Sequence, residues 1–141
     1  WLEDRIVEAM LKYQIKVVFI DHLHFLVDFM RMRNPSLEIG TVMRSLKMMA
    51  VNLGITIFLL AHVTKTKMDE EPDNDSLRDS SFVAQEADIV LMIWREKDKV
   101  TKEFSSGSVL KVTKSRREGI IGKKIFLEYI NKEFRERSHN L

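Results

Sequence analysis

An α/β fold is what this sequence predicts: a mainly parallel sheet flanked by helices, ending in an antiparallel β-hairpin. Two short apolar runs, Val17–Ile20 and Ile55–Ala61, bracket a stretch with helical periodicity. Strand, long helix, strand is a crossover unit, which makes the two strands parallel and their connection right-handed. Such runs, apolar without alternation, read as strands buried on both faces, as parallel sheets require. A later pair of runs, joined by a basic connection containing glycine, supplies the hairpin.

Each element has a local reason. Leu2, Ile6, Ala9, Met10 and Tyr13 recur at helical spacing, so an amphipathic helix spans residues 2–13. Asn34-Pro35-Ser36 is a turn with Ser36 as a candidate N-cap, and Glu38 suits the helix dipole. Ile39, Val42, Met43, Leu46, Met49, Ala50 and Leu53 then form an apolar stripe that Gly54 stops. Residues 63–75 are polar and acidic, contain Pro72, and are expected to form a mobile loop. Asp75 or Ser76 would cap a short helix running to about Glu86. After Asp88 comes a third buried strand over 89–94, then the hairpin strands at 109–114 and 124–130. The charged end, residues 132–141, is expected to be a flexible tail.

With 141 residues, 45% hydrophobic and 31% charged, the chain is one domain or a large piece of one. A formal charge of +2 does not mark the whole chain as a nucleic-acid binder, so any such signal must be local. Cysteine is absent, which rules out disulfides and thiolate metal sites and fits a reducing compartment. Trp1-Leu2-Glu3-Asp4-Arg5 lacks the layout of a signal peptide. The longest apolar run is far shorter than the roughly 20 residues of a membrane span. A soluble, cytoplasmic protein is expected.

Asp21 ends the first strand, and ligands of parallel α/β sheets bind at that edge. A carboxylate after four apolar residues is the Walker B pattern, in which Asp holds the water shell of Mg²⁺ on nucleotide phosphates. An Asp that merely ends a strand and caps a turn is the alternative. The next residue is His22 rather than the Glu that often serves as base. On a continuing strand His22 and His24 would share one face and Asp21 the other, so a metal site built on them is not expected. His62 ends the neighbouring strand and would look into the same crevice as Asp21, placed to hydrogen-bond a terminal phosphate. A strand-terminal His bonded to a loop carbonyl is the simpler possibility. Between Lys111 and Lys124 there are six basic residues against one acidic. A solvated turn, a nucleic-acid patch or an arginine finger delivered to a neighbour would each produce such a run.

Read in order, these segments resemble the RecA-like helicase family, comprising bacterial DnaB, phage primase-helicases and the mitochondrial helicase Twinkle. Val17-Val18-Phe19-Ile20-Asp21-His22 looks like the family's Walker B, and Leu59-Leu60-Ala61-His62 like its sensor strand. Ser76-Leu77-Arg78-Asp79-Ser80, Gln85-Glu86-Ala87-Asp88 and Arg95-Glu96 are similar to further family segments. Lys114-Ser115-Arg116, with Gly119 to Tyr129, matches the finger strand and its hairpin. The resemblance covers roughly residues 15–131. It implies a partial P-loop NTPase core from a DNA helicase that uses ATP and Mg²⁺. Asp21 would support Mg²⁺ through water, His62 would sense the γ-phosphate, and Lys114 and Arg116 would reach the ATP of a neighbouring subunit. Single-stranded DNA and a homo-oligomer, a hexameric ring, would be the partners. Lys65, Lys67 and Arg78 would contact DNA.

The sequence departs from that pattern in three ways. It holds no Gly-x-x-x-x-Gly-Lys-Ser/Thr loop. The family's catalytic Glu lies upstream of the matching region. Asp69, Glu70, Glu71, Asp73 and Asp75 sit in the presumed DNA loop, where they would repel phosphates. A longer parent protein accounts for the first two, and the isolated piece is then not expected to hydrolyse ATP. Alternatives are a recombinase or circadian-clock-type ATPase, a non-catalytic RecA-like assembly or DNA-binding module, and a metal-dependent hydrolase built on Asp21, His22, His24 and His62.

Overall fold

Local periodicity sets where the helices fall, and pairing sorts the strands into two sheets, one in each of two units. The structure is a computed structural model that describes residues 1–26, 35–62, 71–74, 81–98, 100–101 and 103–137. The presumed DNA contacts Lys65, Lys67 and Arg78, and the Ser76–Ser80 segment, lie outside the described residues. The first unit contains the described residues up to 62 together with 81–87, and the second contains 71–74 and 88–137.

In the first unit α1 (Leu2–Tyr13) ends where Gln14 turns left-handed and its N–H reaches the Met10 carbonyl at 2.9 Å. β1 (Val17–Ile20) and β2 (Thr56–Leu59) pair in parallel, with Val17 opposite Thr56 and Ile20 opposite Leu59. Between them in sequence runs α2 (Pro35–Leu53). It starts one residue before the expected Ser36 cap, because Pro35 has no N–H to satisfy and a φ already suited to a first turn. Gly54 ends it with φ +61°, a conformation that glycine adopts without strain. Ile39, Met43 and Leu46 are buried at i, i+4 and i+7 on α2, along with Ile6, Leu23, Ile55 and, from α3 (Ser81–Glu86), Val83 and Ala84. Close approach of α3 to α2 depends on Gly40, where a Cβ would stand 3.2 Å from the Phe82 ring. Arg44 of α2 pairs with Glu86 of α3 at 3.2 Å.

β1 and β2 are not covered on both faces, contrary to the sequence expectation. Val17, Phe19 and Phe58 are exposed, Phe19 by 71%, and the Phe19 and Phe58 rings stack at 4.8 Å. Alternate residues of a strand point to opposite faces, and the described elements cover only one of them.

The second unit is an antiparallel sheet in the order β3 (Ile89–Lys97), β4 (Phe104–Ser115), β5 (Lys124–Ile130), β6 (Glu133–Glu136). Parallel pairing among the described residues is therefore confined to β1 and β2. β3 is half-covered in the same way. Val90 and Met92 are buried while Ile89, Leu91 and Ile93 face outward. Residues 133–136, expected within a flexible tail, form an edge strand in which Tyr129 pairs with Phe134. Two residues with positive φ, Asn131 and Lys132, close the tight turn that makes this pairing possible.

These differences in cover predict differences in stability. Leu23 is wholly buried (0% exposed), so Leu23→Ala is expected to cost about 2–5 kcal/mol in denaturant unfolding. Leu11 is 82% exposed, and Leu11→Ala should change stability by less than about 0.5 kcal/mol. Equal costs for the two would contradict this assignment of the core.

Candidate functional site

The carboxyl ends of β1 and β2 bring the first set of residues together. Because Ile20 stands opposite Leu59, the chain leaves both strands at one edge, at Asp21 and at Leu60-Ala61-His62. Two backbone bonds hold that edge, Leu60 N–H to the Ile20 carbonyl at 2.9 Å and Leu23 N–H to the Leu60 carbonyl at 2.8 Å. Asp21 presents a carboxylate whose side chain is 77% exposed, with the His22 Nδ1 3.9 Å away. The Asp21–His22 peptide is cis.

Extended geometry stops at Ile20, and residues 23–26 turn as a 3-10 helix around buried Leu23. Strand alternation therefore does not govern where Asp21, His22 and His24 point. His22 packs edge-on against His62 with centroids 4.4 Å apart, and against Phe25 at 4.5 Å. His24 lies 5.3 Å from His22 and 5.8 Å from His62. Three imidazoles thus crowd one strand edge, a convergence that only the parallel register produces. They meet as packed rings, and among the described residues no group of three or more His, Asp or Glu side chains is arranged to hold a metal ion. The donor suited to Mg²⁺ here is the Asp21 carboxylate, a hard oxygen ligand open to solvent where a hydrated ion could approach it.

In the second unit, Lys114 and Ser115 close β4 opposite Val90 and Ile89, and Arg116 is the first residue beyond the strand. The Arg116 N–H donates to the Asp88 carbonyl at 2.8 Å. Its guanidinium stands 3.6 Å from the Asp88 carboxylate while the side chain stays 51% exposed. Asp88 thus grips Arg116 by backbone and side chain at the base of the connection to β5. Sequence reading singled out Arg116 but missed this partner. The signal was available in the position of Asp88 immediately before β3, although its use depends on the β3–β4 register. Lys114 is half-buried on β4.

A family model described as the DnaB-like helicase C terminal domain matches residues 2–136. The replicative DNA helicase DnaB of Rickettsia felis is 30% identical over 95 residues, which is 65% of this chain and 19% of that protein. The DnaB of Pasteurella multocida is 27% identical over 112 residues, 77% of this chain and 24% of that one. The chain thus spans about a fifth to a quarter of the length of these relatives. Among solved structures, one described as a DnaB-like replicative helicase and its interactions with primase superposes with a TM-score of 0.79 at 22% identity. That superposition covers 94% of this chain and 34% of the other. A KaiC-like protein from Pyrococcus horikoshii superposes with a TM-score of 0.68 at 15% identity, over 97% of this chain and 56% of that one. At such identities the structures show the fold alone, which is the RecA-like α/β fold closing in an antiparallel hairpin. No helix among the described residues is long and apolar enough to cross a membrane.

Proposed function

Because this chain belongs to the DnaB-like helicase C terminal domain family, we propose that it is the C-terminal part of the ATPase core of a replicative DNA helicase. The parent protein would assemble as a homo-oligomeric ring, hexameric by the family resemblance, and spend ATP to move along single-stranded DNA. The observation that carries this reading is the placement of Asp21 and His62 at one edge of adjacent parallel strands, where ligands of such sheets bind.

Each residue then has a task its chemistry suits. Asp21 is a carboxylate open to solvent and holds the water shell of Mg²⁺ on the nucleotide. The His62 imidazole hydrogen-bonds the terminal phosphate and passes its state through the packed His22 ring to the strand edge. Arg116, exposed at the hairpin base, offers its planar fork to the phosphates bound by a neighbouring subunit, with Lys114 beside it as a point charge. Lys65, Lys67 and Arg78 pair with DNA phosphates, a contact that weakens with salt. This chain contains no phosphate-binding glycine loop, so the 141 residues alone are expected not to hydrolyse ATP.

The test uses the full-length protein. ATP hydrolysis stimulated by single-stranded DNA, together with unwinding of a forked duplex, is the expected result. Strand exchange without unwinding would assign a recombinase instead, and DNA binding without any ATP hydrolysis would assign a non-catalytic module.

A further inference from the structure

The acidic residues between β2 and α3 are the feature least suited to a DNA-facing loop. Of that stretch, residues 71–74 are described, and they group with the second unit. Their contacts there explain where one of the acidic charges goes. Glu71 lies between two lysines of the hairpin. Its Oε2 accepts from Lys111 Nζ of β4 at 3.0 Å, and its Oε1 accepts from Lys124 Nζ of β5. Lys111 and Lys124 are direct cross-strand partners in the β4–β5 register. Like charges placed directly opposite destabilise a sheet, so these two lysines need an anion between them. Glu71 is that anion, and its charge is directed at the hairpin.

A second anchor is independent of charge. The Asn74 Nδ2 donates to the Thr113 carbonyl at 3.3 Å, and Pro72, between the two anchors, is buried. Thr113 immediately precedes Lys114 and lies three residues before Arg116. Four consecutive residues are therefore fastened at both ends along the strand that leads to the proposed finger. We infer that residues 71–74 form a strap coupling the β2–α3 stretch to the finger-bearing hairpin, with Glu71 as the positioning residue that holds Lys111 and Lys124 side by side.

The mechanical half of this inference stands on the contacts alone, while the coupling half rests on the helicase reading. Lys67 precedes Glu71 by four residues, and Arg78 follows Asn74 by four. On the helicase reading, DNA bound at these flanking residues acts on Thr113, Lys114 and Arg116 through the strap. Binding at the DNA contacts would in this way bias the finger.

Acid provides one check. The Lys124 and Lys111 ammonium groups hold the Glu71 carboxyl below its ordinary value of 4.5. A carboxyl with a lowered folded pKa contributes stability that is present above the unfolded value and lost as pH falls through the folded one. Protection of residues 71–74 against hydrogen exchange, corrected for intrinsic rates, is therefore expected to hold above about pH 4.5 and to fade below it.

The decisive experiment compares wild type, Glu71→Gln, Glu71→Lys, Lys124→Glu and the swapped pair Glu71→Lys with Lys124→Glu in the full-length protein. Hydrogen exchange in peptides covering 71–74 and 111–124 should accelerate by roughly 1.5- to fivefold in the single variants, the range of exposed ion pairs. The swap should restore much of the protection. ATP hydrolysis without DNA should be unchanged in Glu71→Gln, while stimulation by single-stranded oligonucleotide should fall by at least half. Unaltered exchange in Glu71→Gln would overturn the strap. Altered exchange with full DNA stimulation would overturn the coupling. Failure of the wild type itself to respond to single-stranded DNA would count against the helicase reading and leave the strap, as judged by exchange and the swap, standing.

Discussion

Rings assembled from wild-type and Arg116→Ala subunits of the full-length protein are expected to lose ATPase activity faster than the wild-type fraction falls. The reason is geometric. Arg116 leaves β4 at its last paired residue, is half-exposed, and meets within its own chain the Asp88 carboxylate at 3.6 Å. A half-exposed guanidinium can turn from that carboxylate toward the phosphate oxygens of an adjoining subunit. Its backbone N–H, bonded to the Asp88 carbonyl, keeps the base of the arm in place while the tip moves. Fingers of this kind are worth about 10³–10⁵ in rate, so a uniform Arg116→Ala ring should be nearly inactive. In a mixed ring each mutant subunit disables its neighbour's site, and where the sites of a ring fire in sequence one disabled site also stalls those that follow, so the loss exceeds dilution. A uniform Arg116→Ala ring that keeps its activity would remove Arg116 from that role. Lysine at the same position should rescue poorly, since a point charge cannot reproduce the planar fork.

Asp21→Asn is expected to lower ATP hydrolysis roughly 10–100-fold and to raise the Mg²⁺ concentration needed for half-maximal activity, the scale seen when a group that orients a metal's shell is neutralised. The exchange is nearly isosteric, and the side chain is 77% exposed with no buried partner to strand. Thermal unfolding should therefore stay within a degree or two of wild type, the shift of a surface change worth less than about 0.5 kcal/mol. An activity loss accompanied by a large fall in melting temperature would indicate a structural Asp. An unchanged Mg²⁺ requirement would separate Asp21 from the ion.

Much of this was legible in the sequence, for reasons that differ by element. α1 appears at the residues its periodicity marks, and α2 stops at Gly54, because helical spacing and positive φ are local properties. The parallel pairing of β1 with β2 followed from the strand-helix-strand order, and the β4–β5 hairpin from two runs and a short basic link. Other features were not legible. The apolar runs were read as strands covered on both faces, yet Phe19 and Ile93 stand exposed, because an apolar run does not specify what packs against it. The charged tail hid β6, whose pairing depends on Tyr129 meeting Phe134 across a two-residue turn.

By itself the sequence determined the inventory: where helices and strands form, that an acid and an imidazole follow two strands, and which family the pattern resembles. Tertiary structure alone decided the meetings. His22 faces His62, Asp88 grips Arg116, and Glu71 bridges Lys111 and Lys124, because strand register and a turn after Ile20 bring together residues from 28 to 53 positions apart. Periodicity is written in neighbours along the chain, whereas register is settled by which burial and which ion pairs the whole unit can satisfy at once.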